Sequence, residues 1–162
     1  MASVYLETTI PSYLAAKPSR DLITAAHQQI THEWWETAAG RFDLFVSDAV
    51  LKEIRKGDAR VAEKRLALIA QIEILAFTED IDSLIHIYGR RLGLAGSGIT
   101  DLPHFAYAVA YEMDYLVTWN CRHIANGEVI KRLTMVNQDL GRQTPVIVTP
   151  EELLANYAGD DY

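Results

Sequence analysis

Four oxygen-bearing side chains stand out by type and placement: Glu7, Glu53, Asp101 and Asn120. Carboxylates brought together without basic partners repel one another, and such a group becomes tolerable when it holds a hard cation. Mg²⁺ takes oxygen ligands, keeps several waters, and needs only one or two direct carboxylates beside a substrate phosphate. A cation held in this way lowers the pKa of a bound water and neutralises charge on a phosphodiester. Each residue also has a plainer reading. Glu7 can be a solvated strand end and Asp101 an N-cap. Asn120 can close a turn. Glu53 can be a surface helix residue, although it lies three positions from Val50 and one from Ile54, at the border of an apolar stripe. What points to a site is the coincidence of all four: three lie close to the carboxyl side of a strand, and Asp101 sits at a helix entrance.

Those elements alternate between strand and helix. Val4–Leu6, Leu44–Val46, Tyr115–Thr118 and Val146–Val148 are short apolar runs rich in aromatic or β-branched residues and read as buried strands, with Ile72–Leu75 a weaker fifth. One helix runs from a Ser19 or Asp21 cap through Trp34 and Trp35 to Ala39, with Gly40 as its stop. Others cover Asp48 to Lys56, ended by Gly57, Ala59 to Ala70, and Ile81 to Leu92, after which GLAGSG is a flexible break. Thr100 or Asp101 opens the next, with Pro103 in its first turn, and Leu102, Phe105, Ala106, Val109 and Met113 form its apolar face. TPEELLANY starts a last helix, capped by Thr149. Wholly apolar strands alternating with helices favour a parallel sheet covered on both faces. In such sheets sites form beyond the carboxyl ends of the strands. Glu7 closes the first strand, Glu53 lies on the helix after the second, Asp101 opens a helix after the glycine-rich break, and Asn120 directly follows Tyr115–Thr118.

Composition narrows the class. The 162 residues suit one compact domain over 1–162, and 49% hydrophobic residues suffice for a core. No apolar run reaches the roughly 18 residues of a membrane span, and no signal peptide is expected. The single cysteine, Cys121, excludes an intrachain disulfide and fits a cytoplasmic setting. A net charge of −7 argues against nonspecific coating of nucleic acid, but a bound metal reverses the local sign, so a nucleic-acid enzyme stays open. Lys52, Arg55, Lys56, Arg60, Lys64 and Arg65 cluster at helical spacing and read as a solvated face. His104 lies on the side of Asp101, where a packed or solvated histidine is the common case. Cys121 and His123 lack the further ligands that zinc wants. Of the adjacent Trp34 and Trp35, one is expected in the core and the other toward a partner or solvent. GLAGSG matches no phosphate-binding loop. A small-molecule hydrolase or phosphatase would want a GxSxG elbow or an Asp-x-Asp after the first strand, and neither is present.

Four stretches in this order, YLETTIPSYL, VSDAVLKEI at 46–54, TDLPHFAYAVA at 100–110 and MDYLVTWNCRHIAN at 113–126, resemble the PIN-domain family, the fold of VapC-type toxins. The third and fourth are the most specific. The resemblance implies a three-layer α/β/α fold with a central, mainly parallel sheet of four or five strands. It implies a metal-dependent endoribonuclease using Mg²⁺ or Mn²⁺, the toxin of a type II toxin–antitoxin pair, with an RNA substrate, a small antitoxin protein, a homodimer and no membrane association. The alternative is a catalytically silent PIN-like module that binds RNA or protein. By position, Glu7, Glu53, Asp101 and Asn120 match the family's four acidic positions. Glu7 and Asp101 are expected as direct or water-mediated ligands. Glu53 is expected to orient a water or hold a second ion, and Asn120 to contribute its amide oxygen. Thr8, Thr118 and His104 are expected to support them, and the ends left are a 5′-phosphate and a 3′-hydroxyl. Two positions depart from the family's usual Asp: Glu7 is one methylene longer, and Asn120 carries no charge. Fewer charges imply weaker cation affinity.

Overall fold

Consecutive apolar residues without alternation can be buried on both sides only inside a sheet covered on both faces. The strands are used in this way. In the computed structural model, which describes residues 1–155, Val4, Tyr5 and Leu6 of β1 (Ala2–Leu6) are all fully buried. Four more strands follow among the described residues: β2 (Phe42–Ser47), β3 (Glu73–Leu75), β4 (Tyr115–Val117) and β5 (Val146–Val148). They lie in the order β3-β2-β1-β4-β5, and every neighbouring pair is parallel. The expected fifth strand is thus an edge strand of three residues. The chain steps outward from β1 to β2 and β3, then returns to the other side of β1 as β4. The strand order therefore reverses between β1 and β4, the position where ligands bind in open α/β sheets.

Helices cover both faces, giving a three-layer α/β/α arrangement. In one layer α1 (Thr9–Ala15) packs on α2 (Leu22–Arg41) and on α4 (Ala59–Leu68), which also meets α3 (Asp48–Ile54), while α8 (Pro150–Ala155) packs on α2. In the other, α5 (Glu79–Arg91) packs on α6 (Leu102–Ala110) and α7 (Gly127–Asp139). Trp34 of α2 is fully buried against Phe42 while Trp35 is half-buried, dividing the pair as expected. Polar links fix the register. Asp114, just before β4, accepts from the Ser3 amide and hydroxyl at 2.8 and 3.1 Å. Within the second layer, the Tyr88 hydroxyl of α5 donates to buried Asn137 of α7 at 2.6 Å, and the Asn137 amide donates to Thr144, ahead of β5, at 2.9 Å.

Several boundaries differ from the sequence reading. Asp21 does cap α2, accepting from the Thr24 amide at 2.9 Å. Gly40, however, does not stop that helix, which runs through Arg41 until Phe42 enters β2. Helix α1 was not expected, because Pro11-Ser12 reads as a break. Pro11 lies in the first turn, where a missing N–H costs nothing. Helix α7 was also not expected, although Val129, Leu133 and Val136 give it a buried stripe. The break at GLAGSG passes directly into a 3₁₀ helix, Gly96–Asp101. Thr149 and Glu152 form a reciprocal cap at the start of α8, whereas Asn156 and Tyr157 of the expected helix lie outside the described residues.

One connection carries local strain. Helix α6 ends with the Met113 amide donating to Ala108 O and the Glu112 amide to Val109 O, and Glu112 sits at φ 52°. This is a Schellman ending with glutamate where glycine is favoured. We expect Glu112→Gly to raise unfolding stability by about 0.5–1 kcal/mol, the relief of a left-handed backbone less the entropy that glycine adds to the unfolded chain. Urea denaturation measures this directly; a lower midpoint for the variant would contradict the strain reading.

Candidate metal centre

The first strand delivers Glu7 straight into the interior. Its amide continues the ladder by donating to Val117 O at 3.1 Å, so the residue sits beside the end of β4 and is only 3% exposed. A carboxylate so enclosed needs donors, and three converge on one oxygen. Glu7 Oε2 accepts from the Thr9 amide at 3.1 Å, the Thr9 hydroxyl at 2.5 Å and the Thr118 hydroxyl at 2.7 Å. The two hydroxyls are themselves oriented by backbone: Thr9 Oγ1 accepts from the Trp119 amide, and Thr118 Oγ1 from the Asn120 amide, both at 2.9 Å. Glu7 Oε1 accepts no hydrogen bond from the described residues.

Glu53 arrives from α3. Its Oε1 lies 2.7 Å from His104 Nε2, and His104 is fully buried on α6. The other ring nitrogen, Nδ1, lies 2.7 Å from the Tyr5 hydroxyl, which lies 2.7 Å from Ser47 Oγ. An ionised carboxylate only accepts, so Nε2 carries a proton. The chain Ser47–Tyr5–His104–Glu53 is then satisfied throughout when each hydroxyl donates to the next member. Burial alone acts to lower the His104 pKa. The hydrogen bond to Glu53 and the charges of Glu7, Glu53 and Asp101 outweigh it, so the net shift is upward. For Glu53 burial acts to raise the pKa, but His104, the Thr8 hydroxyl and Lys56 turn the net shift downward. Burial raises the Tyr5 phenol well above its ordinary range, which keeps it a neutral link.

Asp101 closes the 3₁₀ helix, and its carboxylate makes no capping hydrogen bond to α6. Instead Oδ2 accepts from Asn120 Nδ2 at 3.1 Å and lies 3.0 Å from His123 Nδ1. Asn120 Oδ1 accepts from the His123 amide at 3.0 Å. That backbone donor requires an oxygen, so the amide presents its NH₂ to Asp101. Asn120 therefore reaches the acidic edge as a donor.

Glu7, Glu53 and His104 each offer a ligand atom within 4.8 Å of the others. Asp101 is not among the residues whose ligand atoms meet there; it lies with Asn120 and His123, and its charge adds to the upward shift of His104. The donor set fits a hard divalent cation. Glu7 has one oxygen clamped and the other without a donor. The Thr8 hydroxyl is buried without a hydrogen bond of ordinary geometry, although it lies near the Glu53 charge. His104 already uses both nitrogens and in this arrangement holds Glu53. Of the expected supporting residues, Thr118 touches Glu7 and His104 touches Glu53, whereas Thr8 lies near Glu53 without a hydrogen bond of ordinary geometry. Sequence reasoning missed Thr9, Tyr5 and Ser47, and set His123 aside. The Asn120–His123 spacing of three, typical of a side chain capping a following amide, was the available signal.

No protein-family model and no curated protein matches the sequence. Solved structures do match in shape. VapBC2 of Rickettsia felis, solved bound to a DNA fragment from its promoter, superposes with a TM-score of 0.59 at 17% identity, covering 90% of this chain and 97% of that one. VapC20 of Mycobacterium tuberculosis, described as a toxin that cleaves the sarcin–ricin loop, superposes with a TM-score of 0.58 at 17% identity, covering 77% and 95%. The fold is therefore that of a VapC-like PIN domain.

The clamp on Glu7 is testable. Thr9→Val keeps the side-chain shape but removes a hydrogen bond to a buried charge and the acceptor for the Trp119 amide, and should cost about 1.5–3 kcal/mol in urea denaturation. Thr9→Ser, which keeps the hydroxyl, should stay within about 1 kcal/mol of the parent. Equal stability of the valine variant would mean that Thr9 does not hold the carboxylate.

Proposed function

We propose that the chain is a metal-dependent endoribonuclease of the PIN-domain family, acting as the toxin of a type II toxin–antitoxin pair. The reading extends to one domain over residues 1–162, a cytoplasmic setting, an RNA substrate, a small antitoxin partner and a homodimer. The carrying observation is the meeting of Glu7, Glu53 and His104 at the reversal of strand order, with Glu7 buried and one of its oxygens without a donor. The described action of VapC20 on the sarcin–ricin loop, on the same fold, supports the substrate class. No helix among the described residues is long and apolar enough to cross a membrane.

Glu7, Glu53 and Asp101 would hold Mg²⁺ or Mn²⁺. When bound, that ion supplies Lewis-acid polarisation of the phosphodiester and lowers the pKa of the attacking water. The chain's own residues do the positioning. Thr9 and Thr118 fix Glu7, and His104, backed by Tyr5, fixes Glu53. Asn120 and His123 aim Asp101. Asn120 is thus proposed to act through Asp101, which leaves three formal charges at the site. A second reading, a catalytically silent binding module, draws on the fact that Glu53 and Asp101 each already have an imidazole neighbour that can balance charge without a cation.

Incubation of structured RNAs with Mg²⁺, Mn²⁺ or EDTA separates the two. We expect cation-dependent cleavage leaving 5′-phosphate and 3′-hydroxyl ends, reduced at least about 100-fold by Asp101→Asn or Glu53→Gln, beyond the 10–100-fold typical of losing an outer-sphere partner. Cleavage that survives Asp101→Asn would sink this site. Absence of cutting, together with no Mn²⁺ binding by calorimetry, would favour the silent module.

A further inference from the structure

The basic residues that the sequence reading left as a solvated face acquire a location. Lys52, Arg55 and Lys56 lie along the last turn and end of α3, the helix that carries Glu53. Arg60 and Lys64 continue on α4 at a spacing of four, so they share one face of that helix. These five are all exposed, and none has a carboxylate within 4.0 Å among the described residues, unlike Arg91 and Arg142, which pair with Asp139 and Asp80. Six of the chain's 15 basic residues fall within these fourteen positions, in a protein of net charge −7.

Helix chemistry explains only part of this. Cations near the end of α3 complement its C-terminal carbonyls. Arg60 has no such reason to be there: it sits in the first turn of α4, at the positive end of a helix, where a cation is unfavourable. Asp58 caps that turn through the Arg60 and Val61 amides and does not pair with the guanidinium. One end of the strip adjoins the acidic edge: Lys52 is next to Glu53 on α3, Arg55 and Lys56 follow at the end of that helix, and α3 packs on α4; the Lys56 charge also favours the ionised form of Glu53. At its far end Lys64 borders a groove of about 470 Å³ lined also by Leu14, Ala15, Ala67 and Leu68. Leu14 and Ala15 close α1, whose seven residues place them roughly 10 Å along the helix from its start next to Glu7.

We propose that the exposed basic face of α3 and α4, Lys52, Arg55, Lys56, Arg60 and Lys64, binds the phosphodiester backbone of a single RNA strand and leads it to the carboxylate edge. The occupant follows from charge complementarity: a row of unpaired cations beside an anionic edge suits a polyanion whose scissile phosphate must approach that edge. This inference rests on the ribonuclease reading for its choice of polyanion.

The test is binding of a fluorescently labelled single-stranded RNA oligonucleotide, followed by anisotropy in EDTA so that no cation-dependent cutting intervenes. The double variant Arg60→Gln/Lys64→Gln is compared with Arg90→Gln/Lys131→Gln, which removes the same charge from exposed positions on α5 and α7. If both residues touch phosphates, the first pair flattens the dependence of log affinity on log salt by about 1.4, at roughly 0.7 per phosphate contact on a single strand. The second pair should change it by less than about 0.3. Equal effects of the two pairs, no effect of the first, or no RNA binding by the parent chain would overturn the proposal. Competition by a polyglutamate peptide of equal charge as strong as that by unlabelled RNA would overturn the choice of RNA. Strip-dependent binding without cutting in any cation sinks the ribonuclease reading alone, and cutting indifferent to Arg60→Gln/Lys64→Gln sinks this inference alone.

Discussion

A carboxylate with almost no exposed surface needs hydrogen-bond donors, and Glu7 gathers them on one side. One oxygen takes three donors, two of them hydroxyls that are in turn oriented by amides at the end of β4. The clamp joins the first strand to the fourth at the place where the strand order reverses. The rest of the edge is arranged around it: α3 brings Glu53, α6 brings His104, and the turn after β4 brings Asn120 and His123. Each carboxylate is held by neutral hydroxyls, an amide or an imidazole, with no Lys or Arg forming an ion pair to it within 4.0 Å among the described residues. A permanent cation in contact would occupy the negative end that a metal or phosphate-linked metal requires.

The buried line Ser47–Tyr5–His104–Glu53 adds a second constraint. Polar groups in a sheet interior are costly unless each finds a partner. This line is fully partnered only when Tyr5 on β1, Ser47 at the end of β2 and His104 on α6 keep their mutual positions. Core packing and the orientation of Glu53 are therefore coupled: a shift of α6 against the sheet would be felt at the carboxylate. The Tyr5 ring also stacks on Tyr107, 6.4 Å away, which ties the line to the apolar face of α6.

The sequence revealed the strands because parallel strands read as uninterrupted apolar runs, and it singled out Glu7, Asp101 and Asn120 as candidates because they terminate or open elements; that Asn120 would turn its NH₂ rather than its oxygen to the edge was not legible. It did not reveal which hydroxyl holds Glu7. Thr8 and Thr9 are adjacent, and only the turn into α1 decides that Thr9 faces the carboxylate; that helix was itself hidden behind a Pro-Ser pair that reads as a break. Nor did local pattern show the partners of Tyr5, since Ser47 and His104 lie 42 and 99 positions away. Asp101 is a case where local preference and tertiary demand compete. An aspartate opening a helix normally caps it, yet here the side chain turns to Asn120 and His123. Gly40 failed as a helix stop because the start of β2, held in the sheet, set the boundary.

The span of the Glu7 clamp has a consequence for how the edge comes into being. Thr118 lies 111 positions after Glu7. At a synthesis rate of about 5–20 residues per second, roughly 6–22 s separate the emergence of the two from a ribosome. Throughout that interval Glu7 lacks a major donor and β1 lacks one of its two neighbouring strands, so the carboxylate has no reason to be buried. The acidic edge is thus a late product of folding: it cannot exist on a nascent chain that ends before β4, and it appears together with the closure of the sheet.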